Sequence, residues 1–336
     1  MPVNPIDALS GRALYAAIWQ RVKDSFFDQA RLAAIDWAGQ EHRYDAKIVD
    51  DAAAIRFAKK SLRLLNDKYT CFLEPEQVVA KAADRVSEEL LVANKVMEGD
   101  IGYLGIISFS HADIAEQVRE RLEGIAHCRA FIVDLRGNTG GLVNATANAL
   151  EYFIDSGDIC YSDHPLGAKG LEERFIYFKP DQFCVLVLEP GVEPDLSFYL
   201  RKPAMIAGKP MVVLIDGNTM SSAEIFAAAL LASGENGSII AMGSKSSGKG
   251  IGQSDFDILG KVTLKLSCSR FYNPAGDWTG DDGQTVNNGI VPKIELVESD
   301  DPVAQVRAAA SYLTDSLAAR ASQEALPTPD DARLAA

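Results

Sequence analysis

Residues 130–153, AFIVDLRGNTGGLVNATANALEYF, decide the fold class of this chain. They begin with the apolar run 130–135, which has the length of a buried strand, and they end with 142–153, whose apolar positions recur at helical spacing. Between the two lie Gly137, Gly140 and Gly141, which favour a tight turn. The stretch therefore predicts a strand–turn–helix unit of an α/β protein.

The same alternation of strand and helix recurs on both sides of this unit. Apolar runs predict further strands at 101–109, 211–216 and 238–242, and helical spacing predicts helices near 114–124 and 221–231. Strands that alternate with helices are joined by right-handed crossovers, so we expect a largely parallel sheet.

Outside this series the pattern changes. Helical periodicity is present at about 12–27, 50–65 and 75–92, and a β-rich insertion at 157–210 contains a hairpin formed by 174–178 and 183–188. Further strands are expected at 261–267 and 270–272, and a last helix at about 302–319. We therefore expect an N-terminal helical region (1–95), a core (96–320) that contains the insertion (157–210), and a flexible tail (321–336).

Composition argues against several classes of function. The chain has 336 residues, of which 47% are hydrophobic and 24% are charged, as in ordinary globular proteins. Its formal net charge of −14 opposes binding to nucleic acid or to an anionic membrane surface. No apolar run is long enough to span a bilayer, so we expect no membrane insertion.

The cysteines and the first residues bear on location. The five cysteines are far apart and form no Cys-x-x-Cys pair, which favours reduced thiols in a cytosolic compartment over a disulfide framework or a cysteine metal site. The first residues lack the basic and apolar segments of a secretory signal. We expect a cytoplasmic protein, or a periplasmic one if a signal has been removed.

A serine and a lysine follow two of the predicted strands. Ser221 opens the helix after strand 211–216, and Lys249 lies between glycines after strand 238–242. A serine hydroxyl is a poor nucleophile until a base removes its proton, and a desolvated neutral lysine can be that base without a histidine. The pattern therefore favours the chemistry of a serine–lysine hydrolase.

Several blocks, in order, resemble the tail-specific or C-terminal processing peptidases, a serine–lysine family whose core is related to ClpP and crotonase. The blocks are GYLGI (102–106), DLRGNTGG (134–141, with Thr139 in place of the family's proline), SSAE (221–224), GKGIGQ (248–253) and GIVP (289–292). DKYTCFL (67–73) is similar to a further family segment. With this resemblance the expected fold class is α/β, a ClpP/crotonase-like core of repeated strand–helix units with an N-terminal helical layer and the β-rich insertion.

The resemblance implies roles for individual residues. Ser221 would be the nucleophile, Lys249 the general base and Gln253 the residue that orients the lysine. The oxyanion hole would use the backbone N–H of Ser222 and one from the Gly140–Gly141 turn.

The resemblance also implies partners. No metal or organic cofactor is implied, and the substrate would be a protein or peptide with an extended apolar C-terminus, cleaved through an acyl-enzyme. A homo-oligomer is also expected. The interval between Leu73 and Asp100 is too short for the PDZ domain that relatives carry there, so a form lacking it is expected.

Other interpretations of the same residues remain open at this point. Ser221 and Glu224 fit a helix capping box, and Ser222 would be the nucleophile if the motif were shifted by one residue. Residues 243–249 fit the start of a phosphate-binding loop, but Gly250 stands where that loop needs Ser or Thr, and no helix pattern follows. Asp134 and Arg136 fit a strand-end ion pair.

Two other functions use the same fold. In the first, the chain is a non-proteolytic member of the fold that binds a ligand or peptide. In the second, it is an acyl-transfer or cyclising enzyme of peptide biosynthesis, in which an amine instead of water attacks the acyl-enzyme.

Overall fold

The computed structural model describes residues 5–84, 90–280, 288–297, 301 and 303–324. The helices are α1 (Pro5–Ser25), α2 (Gln29–Ala34), α3 (Asp51–Leu62), α4 (Pro75–Asp84), α5 (Ile114–Glu123), α6 (Val143–Leu150), α7 (Ser222–Ser233) and α8 (Ala304–Glu324). The strands are β1 (Cys71–Leu73), β2 (Val92–Met97), β3 (Ile101–Ile106), β4 (Ala130–Asp134), β5 (Gly157–Pro165), β6 (Leu171–Lys179), β7 (Gln182–Leu188), β8 (Asp195–Leu200), β9 (Met211–Ile215), β10 (Ile239–Gly243), β11 (Ile251–Ile258), β12 (Val262–Tyr272) and β13 (Ile294–Glu295).

The chain forms two compact units, each assembled from separate stretches of sequence. Unit 1 comprises residues 1–87, 158–201 and 248–289, and unit 2 comprises residues 88–157, 202–247 and 290–336. The sequence pattern predicts boundaries that follow the chain instead, because it shows periodicity and not long-range contacts. The N-terminal helices and the β-rich insertion in fact share unit 1 with residues 248–289.

Unit 2 contains the predicted parallel sheet. Its strand order is β13-β10-β9-β4-β3-β2, and every neighbouring pair is parallel except β2 and β3. Strands β4, β9 and β10 are buried along their whole length, as expected for a sheet covered by helices. The expected alternation of strands and helices is confirmed here.

The core on one face of the unit 2 sheet is formed by alternate strand residues, because these side chains point to the same face. Alternate residues such as Ile132 and Val212 pack with Leu313 of α8. Phe226 of α7 instead packs against Phe109 and Phe153, with ring centroids 5.2 Å apart in both pairs. Burying a side chain of this size stabilises the fold by about 1.5–3 kcal/mol.

Unit 1 contains the second sheet and the N-terminal helices. The sheet order is β1-β12-β5-β6-β7-β8, with β11 paired to β12. The registered pairs are antiparallel, and β6 and β7 form the predicted hairpin. Helix α1 packs against α3 and β12, so its buried Leu14, Trp19 and Val22 share a core with Leu264 and Leu266.

Helix α3 shows how local sequence sets an element's ends. The Asp50 carboxylate accepts the Ala53 N–H at 2.7 Å and so caps the first turn. The helix passes into a short 3₁₀ turn that stops at Asn66, whose φ of +47° ends helical geometry. This matches the helix predicted at about 50–65.

Four details of the expected elements were wrong. The helix predicted to reach Val92 is described from Pro75 to Asp84, and Val92 instead begins β2, which pairs with β3. The three-residue strand β1 was not foreseen. The two strands expected at 261–267 and 270–272 are one strand, β12. Helix α8 continues to Glu324, and the rest of the expected tail lies outside the described residues.

None of the helices within the described ranges combines the length and apolarity that crossing a membrane requires.

Candidate active site

Ser221 and the glycine turn lie at the ends of neighbouring parallel strands. Strands β4 and β9 pair with Asp134 opposite Leu214, and the chain leaves both at their carboxyl ends. Loops at that edge of a parallel sheet lie side by side. The Gly137–Gly141 turn after β4 therefore meets the 216–221 loop after β9.

Hydrogen bonds fix these two loops to each other. The Gly137 N–H donates to the Asp216 carboxylate at 3.0 Å. The Thr219 hydroxyl donates to the Leu135 carbonyl at 2.9 Å, and the Met220 N–H to the Asn138 carbonyl at 3.0 Å. The backbone on both sides of the candidate nucleophile is therefore held before any substrate arrives.

Ser221 has a strained backbone. Its φ is +57° and its ψ is −123°, although it is not a glycine. Such a conformation costs about 1–3 kcal/mol and persists only where surrounding contacts impose it. Ser221 is also the N-cap of α7, so it stands at the positive end of that helix's dipole.

Glu224 holds this conformation from inside the protein. Its carboxylate is 1% exposed and accepts the Ser221 N–H at 2.9 Å and the Ser246 hydroxyl at 2.6 Å. The Ser246 hydroxyl in turn accepts the Ile290 N–H at 2.7 Å. The capping-box interpretation is therefore correct for the Glu224 side chain, and the same carboxylate joins the SSAE block to the segment before Lys249 and to the GIVP block.

Gly140 lies so close to residues 220–222, called here the serine loop, that no side chain fits at its position. A Cβ added to Gly140 would lie 2.7 Å from the Met220 carbonyl oxygen, 2.9 Å from the Ser222 nitrogen and 3.0 Å from the Ser221 Cβ. Its φ of +88° also favours glycine. The glycine in this position is thus required by contact and by conformation.

The three predicted oxyanion-hole residues differ in whether their backbone N–H already donates a hydrogen bond within the protein. The Gly140 N–H donates to the Asn138 side chain at 2.9 Å, so it is occupied, and the prediction is corrected at this residue. Gly141 is exposed, and its N–H has no acceptor in the part of the chain that the structure describes. Ser222 is the first residue of α7, where backbone N–H groups lack helical acceptors.

Burial separates Ser221 from Ser222. Ser222 is fully buried, and its hydroxyl has no hydrogen-bond partner among the described residues. Ser221 is partly exposed. A substrate carbonyl must reach the nucleophile, so the geometry favours Ser221 over the shifted alternative.

Lys249 lies in unit 1 with side-chain partners there. Its Nζ donates to the Gln253 Oε1 at 3.1 Å and lies 5.0 Å from the centre of the Tyr69 ring. The Gln253 amide donates to the Tyr69 carbonyl at 2.8 Å. The expected contact between Gln253 and Lys249 is present, and Tyr69 is an additional neighbour.

The Tyr69 segment is itself fixed by a short turn. Asp67 accepts the Tyr69 N–H at 3.0 Å and the Thr70 hydroxyl at 2.5 Å. The Thr70 hydroxyl also accepts the Ser267 N–H of β12 at 3.2 Å. The DKYT block therefore reaches Lys249 through Gln253.

The phosphate-binding alternative does not fit the structure. A phosphate-binding loop needs a helix directly after its lysine, so that the helix N-terminus faces the anion. Strand β11 begins at Ile251 instead.

The predicted ion pair at the end of β4 is present. Arg136 donates to both oxygens of Asp134, at 2.9 and 2.6 Å, and Tyr103 donates to the same carboxylate at 3.0 Å. Burial and the neighbouring carboxylate raise the pKa of Tyr103 well above its usual value. These groups stabilise the strand end that carries the glycine turn.

Comparison with known sequences decides the family. Residues 100–296, more than half of the 336 residues, match the family model of peptidase family S41. The chain belongs to this family.

Curated relatives of the S41 chain are carboxy-terminal processing proteases. It is 27% identical over 207 residues to the carboxy-terminal processing protease CtpA of Bacillus subtilis, a match that covers 61% of this chain and 36% of CtpA. It is 25% identical over 185 residues to the carboxy-terminal-processing protease of Bartonella bacilliformis, covering 54% of this chain and 36% of that protein. The chain therefore spans little more than a third of these relatives' length.

Solved structures share the fold. The photosystem II D1 C-terminal processing protease superposes with a TM-score of 0.62 at 16% identity, covering 85% of this chain and 93% of the other. A lipoprotein from Streptococcus agalactiae gives 0.63 at 16% identity, covering 94% and 98%. The mixed α/β fold expected from the sequence is confirmed.

The structure thus brings the predicted site residues together in two groups. Ser221, Ser222 and the glycine turn meet in unit 2, and Lys249 and Gln253 meet in unit 1. Sequence reasoning missed the side chains that hold these groups, namely Asn138, Ser246 and Tyr69. Asn138 had a local signal, because Asn two residues before Gly is typical of a turn closed by its side chain. The contact between Glu224 and Ser246 had no local sequence signal, since it joins two separate blocks of the sequence.

Proposed function

We propose that this chain is a serine peptidase in which Ser221 is the nucleophile and Lys249 the general base. The observation that carries the proposal is the strained Ser221, held by Glu224 at the start of α7 with Gly140 packed against its loop. Such strain persists where function selects for it. Membership of peptidase family S41 supports the same chemistry.

The proposed reaction has two halves. Lys249 Nζ takes the proton of the Ser221 hydroxyl while Oγ attacks the peptide carbonyl, and the proton then passes to the leaving amine. Water next attacks the acyl-enzyme and gives a proton to Lys249, which passes it to Ser221 Oγ as the bond from Oγ to the acyl carbon breaks and the new carboxyl group leaves. N–H groups of Ser222 and Gly141 would stabilise the negative oxygen in both halves.

Ser221 and Lys249 belong to different compact units, and their pairing is part of the proposal. One link is given by the chain itself. Ser246 is hydrogen-bonded to Glu224, and Lys249 follows it by three residues. The segment that carries the proposed base therefore begins at the residue pair that fixes the nucleophile.

The proposed substrates are proteins or peptides with an extended apolar carboxy terminus. The names of the curated relatives place their own action at carboxy termini, and we extend this class to the present chain. A cytoplasmic location stays a prediction.

Labelling with a fluorophosphonate tests the dyad. The probe should modify Ser221, as shown by peptide mapping, and the rate should rise with pH because only neutral Lys249 accepts a proton. Ser221→Ala should abolish labelling and Lys249→Ala should slow it at least about 100-fold. Lys245→Ala is the matched control and should label normally.

Labelling of another serine, or an unchanged rate in Lys249→Ala, would contradict the proposed dyad. Product masses from apolar-ended peptides then separate hydrolysis, which adds water, from acyl transfer, which does not.

A further inference from the structure

The Tyr69 ring in unit 1 is shared by two lysines. Lys249 Nζ lies 5.0 Å from the centre of this ring, and Lys68 Nζ lies 4.9 Å from the same point. The two nitrogens are therefore separated by no more than the sum of these distances, about 10 Å, whichever faces of the ring they occupy.

The two lysines differ in exposure. Lys68 is exposed, whereas Lys249 is partly buried and donates to Gln253 Oε1 at 3.1 Å. An exposed lysine is an ammonium ion at neutral pH. Lys68 is therefore a constant positive charge beside Lys249, and the charge of Lys249 is the one that responds to its surroundings.

The ring and the glutamine both favour the ammonium form of Lys249. The face of an aromatic ring attracts a cation. The Gln253 amide donates to the Tyr69 carbonyl at 2.8 Å, and because a carbonyl only accepts, this bond turns Oε1 towards Lys249. A lysine accepts a proton only when it is neutral, so the proposed chemistry needs a group that opposes this preference.

Other titratable side chains near Lys249 and Gln253 make contacts of their own. They are Asp67 before β1, Asp255 on β11, and Cys268 and Arg270 on β12. Asp67 accepts two hydrogen bonds within its own turn, and Asp255 pairs with Lys81. Arg270 lies over the Trp278 ring, and burial raises the pKa of the Cys268 thiol, which is therefore neutral. Among the described residues, Lys68 is the charged side chain that shares a ring with Lys249.

We propose that Lys68 acts on the reaction through Lys249, because its positive charge across the Tyr69 ring favours the neutral form of the base. A second cation beside a lysine disfavours the ammonium form of that lysine. Lys68 is thus a positioning residue that takes no proton itself. The inference rests on the proposed function, since it gives Lys68 a role only if Lys249 is the base.

The expected effect has a definite sign and size. Removing the charge at position 68 makes the ammonium form of Lys249 more favourable, so less neutral lysine exists at a given pH. The acidic limb of the fluorophosphonate-labelling profile should therefore move to higher pH. Two unit charges about 10 Å apart near a protein surface shift a pKa by about half a unit, so we expect that shift in Lys68→Met. Lys68→Glu reverses the charge and should give about twice the shift.

Labelling rates measured against pH test the inference. Lys68→Arg keeps the charge and should keep the wild-type profile. Lys60→Glu is the matched control, because Lys60 is also exposed but lies over a different ring, that of Phe57, at 5.4 Å, and its acidic limb should stay in place. Circular dichroism checks that each variant is folded.

Salt separates a charge effect from a structural one. At 1 M NaCl charges are screened within about 3 Å, so the shift in Lys68→Glu should largely disappear. A change in the packing of the Tyr69 segment would instead persist at high salt.

Three results would overturn the inference: an unmoved acidic limb in Lys68→Glu, an equal shift in Lys60→Glu, or a shift that salt does not reduce. Lys249→Ala distinguishes this failure from failure of the proposed dyad. If Lys249→Ala labels at the wild-type rate, both fail. If Lys249→Ala labels slowly while the limb of Lys68→Glu stays in place, the dyad stands and the role of Lys68 alone is overturned.

Discussion

The segments around Ser221 and Lys249 are held by different kinds of contact. Ser221 is positioned by backbone: a strained φ, a glycine turn in van der Waals contact, and a buried carboxylate on its N–H. Lys249 is positioned by side chains, through Gln253 and the Tyr69 ring. Changes near the serine should therefore disturb the fold and the chemistry together, whereas changes near the lysine should mainly alter its proton affinity.

The largest effect on the rate of fluorophosphonate labelling is expected from a substitution at Gly140. Gly140→Ala would place a Cβ within 3.0 Å of backbone atoms of the serine loop, so we expect a labelling rate at least about 100-fold lower, because displacing reacting groups by about 1 Å has that effect. The free energy of unfolding should fall by about 1–3 kcal/mol from overpacking.

Gly137→Ala is the control for this substitution. Gly137 has a φ of +74°, but nothing lies within 4 Å of an added Cβ. Gly137→Ala should therefore lower the free energy of unfolding by only about 1 kcal/mol, because alanine disfavours the left-handed conformation. Equal loss of labelling in both variants would mean that the backbone contact at Gly140 is unimportant.

The next effect is expected at Glu224. Glu224→Gln replaces one acceptor oxygen with an amide that faces either the Ser221 N–H or the Ser246 hydroxyl. An unsatisfied buried group costs about 1–3 kcal/mol, so the labelling rate should fall about 10- to 100-fold in a folded protein. Glu235→Gln, an exposed change just beyond the far end of α7, should leave the rate unchanged. Normal labelling of Glu224→Gln would show that Glu224 does not position Ser221 for reaction.

A smaller effect, on pH dependence, is expected at Gln253. Gln253→Glu places a carboxylate about 3 Å from Lys249 Nζ, which favours the ammonium form and raises the lysine pKa. Less neutral lysine then exists at a given pH, so the acidic limb of the labelling profile should move to higher pH by about one unit or more. Gln253→Ala removes the contact without adding charge and should lower the rate without that shift. An unmoved limb in Gln253→Glu would argue against Lys249 as the base.

The smallest effect concerns the strain at Ser221. Glycine adopts a φ of +57° without penalty, so Ser221→Gly should be about 1 kcal/mol more stable than Ser221→Ala, which keeps the strain. Urea unfolding of the two variants measures the difference. Equal stabilities would show that the backbone at Ser221 is relaxed.

The contrast between the two segments also explains what the sequence could predict. Strands such as β4 and β9 are buried on both faces, so their apolar runs are visible in a single sequence. Ser221 and Lys249 were found because they lie at the ends of such strands. Strand β2 was missed because most of its residues are exposed, so no apolar alternation marks it.

The contacts that hold the site had weaker signals. Glu224 and Ser246 are 22 residues apart, and Tyr69 and Gln253 are 184 apart. Such pairs form only when distant segments fold together, and neither residue's local pattern reports its partner. The same applies to the division into two units, because it depends on contacts between distant segments and the periodicity of a sequence reports only local structure.

The burial of helix α7 has a further consequence for Ser221. Six consecutive residues, 222–227, are buried, so the first turns of this helix are enclosed on every side. Segments with many buried contacts open only at high free energy, so the hydrogen-bonded amide protons of α7 should exchange slowly. Ser221 thus stands at the start of an element that is as enclosed as the central strands of its unit.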